Sequence, residues 1–174
     1  VAELGDEALG IDRALIAQIG DRCATSCREI GYVGAGTFEF LYQDGAFFFI
    51  EMNTRIQVEH PVTEMVTGLD IVAMQIDVAR GAALTLTQDQ VQTNGHSFEC
   101  RINAEDPFNN FMPSPGKIEE LNMPGGYGVR IDTHIYPGYT IIPFYDSMVA
   151  KVITHGKDRR EAIRIMRRAL DEFY

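Results

Sequence analysis

The chain has 174 residues, of which 45% are hydrophobic, enough for the packed core of one ordinary domain or two small ones. Its net charge of −10 argues against nucleic acid as a main partner, because phosphate binding needs a basic surface. The three cysteines follow no zinc-binding spacing and are typical of free thiols in a reducing compartment. No apolar run is long enough to span a bilayer and no signal-peptide pattern is present, so we expect a cytoplasmic protein with no membrane segment.

The N-terminal region begins with residues 1–10, which are acidic and show no period. From Asp12 onward, apolar residues recur at three- and four-residue steps as far as Ile30. This spacing predicts an amphipathic helix with Asp12 as its N-cap and Gly31 just beyond its end.

A β-hairpin is predicted next, because two alternating stretches flank the strong turn signal Asp44-Gly45. A strict two-residue turn would pair Glu39 with Ile50, whereas a three-residue loop or a bulge would pair Glu39 with Glu51. One extra residue moves every side chain beyond it to the other face of the sheet, so this register decides whether the two carboxylates can share an ion. We expect the pairing of Glu39 with Glu51. The predicted strands are Gly34–Tyr42 and Ala46–Asn53.

The second half of the chain is predicted to consist mostly of strands separated by Pro-Gly turns. We place a domain boundary in the polar residues 82–95, which gives domains over residues 1–85 and 96–174. The final helix is predicted to begin at Asp158 with Glu161 in capping-box register. Its predicted apolar positions are Ile163, Met166, Leu170 and Phe173. The other predicted elements are a short helical turn near Thr63–Thr67, a helix from about Asp70 to Arg80, and strands near His96–Glu105, Gly116–Met123, Val129–Ile135 and Asp146–His155.

Three side chains on the predicted hairpin, Glu39, Glu51 and Asn53, are hard oxygen donors. A small set of protein oxygens that leaves room for water or phosphate suits Mg²⁺ or Mn²⁺ better than a full Ca²⁺ cage. A metal held in this way usually bridges nucleotide phosphates during phosphoryl transfer. The alternative interpretation is an exposed charged strand that Arg55 balances.

Arg55, Gln57 and Glu59 alternate beyond the predicted metal group. The guanidinium of Arg55 offers a planar pair of donors for a small oxyanion, Gln57 adds another donor, and Glu59 can accept a proton from the bound anion. An alternating charged edge strand would show the same pattern.

Arg101 lies on the polar face of a later predicted strand. It could stabilise an oxyanion in a transition state, and an ion pair with Glu99 or Glu105 is the equally simple alternative. The four histidines are too scattered in the sequence to predict a zinc site.

The sequence contains five motifs that belong together: E-M-N-T-R-I-Q-V-E-H-P-V-T-E at 51–64, G-A-G-T-F-E-F at 34–40, E-C-R-I-N-A-E-D at 99–106, P-S-P-G-K-I at 113–118 and Y-D-S-M at 145–148. Together these motifs resemble the biotin carboxylases, the ATP-grasp enzymes of acetyl-CoA carboxylase and its relatives. The resemblance covers the chain from about residue 11 to its end and implies an α+β fold. That fold is the C-terminal part of an ATP-grasp domain followed by a β-rich biotin carboxylase C-terminal domain.

The resemblance implies a reaction in which ATP phosphorylates bicarbonate to carboxyphosphate and the ureido nitrogen of biotin is then carboxylated. It implies that Glu59 is the base that deprotonates bicarbonate and that Arg101 stabilises the biotin enolate. The matching ligands of the ATP-bound Mg²⁺ or Mn²⁺ are Glu39, Glu51 and Asn53, and the matching bicarbonate-binding groups are Arg55, Gln57 and the backbone of Val58.

The implied partners are the biotin carboxyl carrier protein, carboxyltransferase subunits and a second copy in a homodimer, with Tyr127 and Arg130 at the family's dimer interface. The family's upstream Rossmann-like domain, lid and nucleotide-binding lysines have no counterpart in this sequence. We therefore expect a fragment that is inactive alone, from an enzyme of fatty acid biosynthesis. The alternatives are a non-catalytic assembly or dimerisation module, the biotin carboxylase part of a pyruvate- or propionyl-type carboxylase, and another ATP-grasp ligase.

Overall fold

The structure, a computed structural model, describes residues 11–174; the aperiodic residues 1–10 lie outside the described part. It confirms the predicted α+β class. The helices are α1 (Arg13–Glu29), α2 (His60–Thr67), α3 (Ile71–Ala79) and α4 (Arg159–Glu172), with short 3-10 turns at Gln88–Gln90 and Pro107–Asn109. The strands are β1 (Thr37–Gln43), β2 (Ala46–Asn53), β3 (His96–Asn103), β4 (Glu105–Asp106), β5 (Met112–Pro113), β6 (Gly116–Lys117), β7 (Val129–Thr133), β8 (Thr140–Ile141) and β9 (Met148–Gly156).

The described chain divides into two units that interleave along the sequence. The first takes the chain to His60 and includes Asp70–Gln90, and the second contains Pro61–Leu69 and Val91–Tyr174. Helix α2 therefore begins in the first unit and continues in the second. The predicted domain limits, residues 1–85 and 96–174, stay a prediction.

Helix α1 begins where the sequence predicts, because Asp12 caps it. The Asp12 Oδ1 atom accepts the backbone N–H of Ala14 at 2.9 Å, which satisfies one of the donors that the first turn leaves free. Beyond the last helical residue, Gly31 has a φ of +69°, the left-handed conformation in which helices commonly end.

The hairpin of β1 and β2 has the register that we expected, and a bulge produces it. The turn has two residues, Asp44 and Gly45, with φ values of +50° and +81°, as a type I′ turn requires. The pairing is regular up to Phe40 opposite Phe49 and then shifts by one residue, so that Glu39 lies opposite Glu51. Ile50 is the extra residue of the bulge, and the alternative of a longer loop is excluded.

One face of this hairpin is aromatic. Its rings lie 5.0 to 6.4 Å apart between centroids, in stacked, tilted and edge-on arrangements that suit the ring quadrupoles. Side chains alternate along β1, and the extra residue Ile50 reverses the alternation in β2, so the opposite face carries both Glu39 and Glu51. The ring-bearing residues are Phe38, Phe40, Tyr42, Phe47 and Phe49.

Two helices follow the hairpin in sequence. The short turn predicted near Thr63–Thr67 is wrong in extent, since α2 begins at His60. Pro61 is tolerated there because the first turn of a helix needs no backbone donor. Helix α3 agrees with the prediction, and the Asp70 side chain caps it by accepting the N–H of Ala73 at 2.7 Å.

The second unit is built on an antiparallel sheet in the order β3–β9–β7, with α4 packed on one face. Val152, Met166 and Ala169 form the buried centre of this layer. The remaining apolar side chains against that centre come from β3, from β7 and from the residue just after α4: Phe98, Cys100, Ile102, Val129, Ile131 and Phe173. In the described part of the chain, no helix is both long and apolar enough to cross a membrane.

The buried stripe of α4 differs from the predicted one. Ile163 and Leu170 are 37% and 39% exposed, and the buried positions are Ala162, Ile165, Met166 and Ala169. Small residues face the sheet because the helix lies close to it: Thr154 Oγ1 donates to the carbonyl of Ala162 at 3.2 Å. Large apolar residues are the obvious choice in a sequence, but close packing here selects alanine.

Two smaller predictions are also corrected. The strand predicted over Gly116–Met123 is formed only at Gly116–Lys117. Ile118 still bonds to Gly138 and Tyr139, and beyond it Asn122 N–H donates to the Tyr174 carbonyl. At the start of α4, Asp158 accepts the N–H of Glu161 at 2.8 Å as predicted. The Glu161 carboxylate accepts the N–H of Lys157 at 3.0 Å, one residue before the position of a standard capping box.

Candidate active site

The bulge brings three of the predicted site residues together on one face of the hairpin. Glu39 and Glu51 are directly opposite each other, and Asn53 follows two residues later on the same side of β2. The Asn53 amide Nδ2 donates to Glu39 Oε1 at 2.7 Å. The first unit therefore holds two carboxylates and an amide within one small area.

Gln57 and Arg55 join this group although both follow the end of β2. Gln57 Nε2 donates to the same Glu39 Oε1 atom at 2.9 Å. Arg55 donates through Nη2 to Asn53 Oδ1 and through Nη1 to the carbonyl of Ile56, each at 3.2 Å. The guanidinium is exposed, so its remaining donors face solvent, where a small anion can reach them.

The donor set fits a hard divalent cation. Two carboxylates and an amide oxygen are the ligands that Mg²⁺ and Mn²⁺ prefer, and the exposed side of Glu51 leaves room for water or phosphate. Asn53 now turns its N–H towards Glu39, so the amide must rotate to offer its oxygen to an ion. Within the described residues no group of three His, Cys, Asp or Glu side chains is placed to hold a metal ion. The predicted ligand set is different in kind, because it has two carboxylates, Glu39 and Glu51, and the amide of Asn53.

The residues after Gln57 lead directly into α2. The Gln57 carbonyl accepts the backbone N–H of His60 at 3.3 Å and lies 2.8 Å from His60 Nδ1. Val58 is half-buried and Glu59 is exposed at this turn. The predicted base therefore lies on a segment fixed at its ends by Gln57 and by the first turn of a helix.

Arg101 lies in the second unit, on β3 opposite Lys151 of β9. The alternative partner Glu105 accepts hydrogen bonds from the Asn103 amide at 3.2 Å and from the Ser147 hydroxyl. Arg101 is on the face of the sheet that is opposite α4, because Cys100 and Ile102 pack against the core.

An ion-pair network that the sequence did not predict lies on this same face of the sheet. Arg130 of β7 donates to both oxygens of Asp132, at 2.7 and 2.8 Å, and to Glu64 Oε2 of α2 at 2.6 Å. Lys151 Nζ lies 3.6 Å from Asp132 Oδ2. The available signal was the alternation of Arg130 and Asp132 along one strand, which places both on one face. Glu64, the partner in α2, is 66 residues away from Arg130 in the sequence, so no local pattern indicates their contact.

The network changes the acidity of its members. Burial raises the pKa of the Asp132 carboxyl, but the hydrogen bonds and charge of Arg130 together with Lys151 outweigh burial and lower that pKa below its usual range. The bonds to Asp132 and Glu64 raise the pKa of the Arg130 guanidinium. The Arg130 side chain remains 34% exposed and Tyr127 is 93% exposed, so their expected place at a dimer interface stays a prediction.

These features define a class of protein. A hairpin with two opposed carboxylates and an amide, followed by an arginine-bearing turn and a β-rich second unit, agrees with the ATP-grasp ligases that the sequence resembles. The family models agree. The model described as "Carbamoyl-phosphate synthase L chain, ATP binding domain" matches residues 7–87, and that described as "Biotin carboxylase C-terminal domain" matches residues 99–174.

The chain belongs to the biotin carboxylase family. It is 59% identical over 165 residues to the biotin carboxylase of Haemophilus influenzae, covering 95% of this chain and 37% of that protein. It is 54% identical over 156 residues to a pyruvate carboxylase subunit of Methanothermobacter thermautotrophicus, covering 90% of this chain and 32% of that protein. The chain thus spans about a third of the length of the curated relatives that it matches.

The fold agrees with a solved structure of the same family. The biotin carboxylase domain dimer of Hydrogenobacter thermophilus 2-oxoglutarate carboxylase, crystallised with MgADP, ADP and bicarbonate, superimposes with a TM-score of 0.90 at 46% identity. The match covers 97% of this chain and 37% of that domain. It extends the sequence likeness to the arrangement of helices and strands.

Proposed function

We propose that this chain supplies the metal- and bicarbonate-binding part of an enzyme that carboxylates biotin with bicarbonate and ATP, through carboxyphosphate. The observation that carries the proposal is the bulged register that places Glu39 opposite Glu51, with Asn53 and Gln57 both bonded to Glu39. A merely charged edge strand has no need of a bulge that aligns two like charges, which repel each other unless a cation lies between them.

In this proposal each site residue has a defined task. Glu39, Glu51 and Asn53 would hold Mg²⁺ or Mn²⁺, which supplies charge neutralisation at the nucleotide phosphates. Arg55, Gln57 and the backbone of Val58 bind and orient bicarbonate, since they present N–H donors to a small planar anion.

The remaining two residues handle the proton and the acceptor. Glu59 removes the proton of bicarbonate so that the anion can attack the terminal phosphate of ATP, a step that suits an exposed carboxylate next to bound substrate. Arg101 stabilises the negative oxygen of the biotin enolate while the ureido nitrogen is carboxylated.

The partners follow from the same reaction. Biotin reaches such a site on a carrier protein, and the carboxyl group is then passed to carboxyltransferase subunits. The matched carboxylase domain from Hydrogenobacter thermophilus is a dimer with bound MgADP and bicarbonate, which supports a homodimer and the same ligands here.

We propose a cytoplasmic acetyl-CoA carboxylase of fatty acid synthesis as the parent. The pyruvate carboxylase relative favours a second candidate, a parent that carboxylates a 2-oxo acid.

The test uses the complete carboxylase that contains this chain, assayed for bicarbonate-dependent ATP hydrolysis with Mg²⁺ and free biotin. Glu59→Gln removes the base with little change in shape, so its rate should fall by a factor of about 100 or more. The matched control Glu29→Gln alters an exposed glutamate of α1 and should leave the rate unchanged. A Glu59→Gln enzyme that retains the wild-type rate would show that this residue is not the base.

Metal binding can be measured on this chain alone. Mn²⁺ titration followed by electron paramagnetic resonance should show one site that Glu39→Gln and Glu51→Gln each weaken strongly, because each removes a charged ligand. Glu29→Gln again serves as the control. Equal Mn²⁺ binding by all four proteins would exclude the proposed ligand set.

A further inference from the structure

Helix α1 carries two thiols on one face. Cys23 and Cys27 are four residues apart, so their side chains are neighbours on the helix surface, with Cβ atoms about 5–6 Å apart. Both are free cysteines, and both are half-buried, whereas the three residues between them are exposed. They continue a half-buried stripe of the helix that begins with Leu15, Ile16 and Ile19. The two thiols therefore lie side by side and remain partly accessible.

The end of α1 is hydrogen-bonded to the residues that follow, which fixes the backbone at Cys27. The carbonyl of Cys27 accepts the N–H of Tyr32 at 2.8 Å, and the carbonyl of Ser26 accepts the N–H of Ile30 at 3.1 Å. These bonds occupy carbonyl groups that the last turn of a helix otherwise leaves without an intrahelical donor. The spacing of the two thiols is thus set by the folded helix before any ligand binds.

This spacing suits neither a disulfide nor a zinc ion. A disulfide joins Cβ atoms about 3.5–4.5 Å apart through an S–S bond of about 2.0 Å, so its formation between Cys23 and Cys27 would distort the helix. A structural zinc ion takes four ligands. Within the described part of the chain no group of three His, Cys, Asp or Glu side chains is placed to hold a metal ion. A single atom bonded to both sulfurs fits better, because it adds a second bond to the path between them.

The acidity of the pair also selects the kind of ligand. Burial, and after it the charge of Cys27, raises the pKa of the Cys23 thiol above its ordinary value. A metal cation binds thiolates and must displace their protons, which a raised pKa opposes. A trivalent arsenic centre that carries oxygen reacts with neutral thiols instead, because its oxygen takes up the protons.

We propose that Cys23 and Cys27 form a two-thiol binding site for trivalent organic arsenicals. In the binding step both S–H bonds and the arsenic–oxygen double bond break, two arsenic–sulfur bonds form, and the oxygen leaves with both protons as water. Arsenic stays trivalent and neither sulfur is oxidised, so the step needs no further reactant. The site uses none of the residues assigned to metal, bicarbonate or biotin, so the carboxylase proposal and this one stand or fall separately.

The test uses this chain, fully reduced, with phenylarsine oxide as the probe and intact-mass spectrometry as the readout. The wild type should take up one phenylarsenic group that withstands washing with a monothiol and is removed by a dithiol. Cys23→Ser and Cys27→Ser should each weaken binding by about 100-fold or more, because the second arsenic–sulfur bond forms within one molecule. Cys100→Ser, which removes the remaining thiol, is the matched control and should bind like the wild type. Undiminished binding by either α1 variant would overturn the proposal.

A rearranged pair tests whether the folded helix makes the site. The double variant Thr25→Cys with Cys27→Ser keeps two thiols in α1 but places them two residues apart, where helical side chains do not face each other. Its binding should be about tenfold weaker or more, since the thiols are no longer oriented towards one atom. Far-ultraviolet circular dichroism checks that the helix is retained. Should it be lost, Ala24→Cys with Cys27→Ser carries the measurement. Wild-type affinity in the rearranged pair would refute the role of helical spacing.

Discussion

Gly128 precedes β7, and its carbonyl accepts the N–H of His155 in β9, so an added methyl group should be costly in this close contact. Its φ is +76°, which side chains other than glycine rarely adopt. A Cβ atom would lie 2.5 Å from the His155 carbonyl oxygen and 3.0 Å from Ile165 Cδ1, well inside the 3.4 Å at which ordinary contacts begin. We therefore expect Gly128→Ala to destabilise the second unit.

The expected loss in the free energy of unfolding has two parts. The left-handed backbone costs an alanine about 1–2 kcal/mol. To relieve the contact with His155, the two strands must separate, which weakens the bond from His155 N–H to the Gly128 carbonyl, now 2.9 Å, at a cost of about 1 kcal/mol or more. The sum is about 2–4 kcal/mol in the free energy of unfolding.

Gly138 provides the matched control. It has a φ of +92°, lies in the same unit, and has open space around the position of an added Cβ atom. Gly138→Ala should therefore cost only the backbone part, about 1–2 kcal/mol. Urea unfolding followed by far-ultraviolet circular dichroism measures both. The two variants should differ by about 1–2 kcal/mol, which at an m of about 1–3 kcal/mol/M separates their midpoints by roughly 0.3–2 M. Equal midpoints would refute the steric reasoning.

Three further predictions concern the bulge, a histidine and a thiol. Deleting Ile50 removes the bulge and should leave Glu39 opposite Glu51 in a regular ladder. Cross-strand nuclear Overhauser effects between Glu39 and Glu51 measure this pairing. Loss of these effects would show that the bulge itself is needed for the pairing. Burial lowers the pKa of His96 below its ordinary 6.5, so the folded state resists protonation. Stability should fall as pH drops below 6.5, and His96→Gln should flatten that dependence in urea titrations at about pH 7.5 and 5.5. Burial also raises the pKa of the Cys100 thiol, so little of it is thiolate at about pH 7.5. Alkylation of Cys100, followed by mass spectrometry, should therefore be slow until urea unfolds the chain. Fast labelling of the folded protein would contradict this expectation.

Local signals were enough to predict much of the first unit. Asp12 and Asp70 cap their helices as expected, and the Asp44-Gly45 turn lies where its sequence places it. The register of the hairpin was harder, because turn chemistry alone favoured pairing Glu39 with Ile50. The choice of the bulged register depended on the chemistry of two carboxylates, not on any backbone preference.

Long-range packing explains what the sequence did not predict. The face of α4 was misassigned because Ile163 and Leu170 are better apolar markers than the alanines that close contact with the sheet requires. The Glu64–Arg130 pair was not predicted because an ion pair between residues 66 apart gives no periodic pattern in the sequence. Glu64 was counted as one more polar residue of the site motif. The expected place of Tyr127 and Arg130 at a dimer interface stays a prediction.

The paired bonds between Arg130 and Asp132 predict a specific response to acid. The folded-state pKa of Asp132 is lowered, so its stabilising contribution is present above the usual value of 3.8 and is lost as pH falls through the lower, folded-state pKa. Asp132→Asn should therefore cost a constant amount between about pH 7 and about pH 4. We expect roughly 1–2 kcal/mol, since Asp132 remains 29% exposed and water screens part of the attraction. Below pH 3.8 the wild type loses the same interaction, so the two unfolding curves should converge. Urea titrations at closely spaced pH values measure the difference, and a gap that stays constant down to about pH 2.5 would mean that the carboxylate charge contributes nothing to the network.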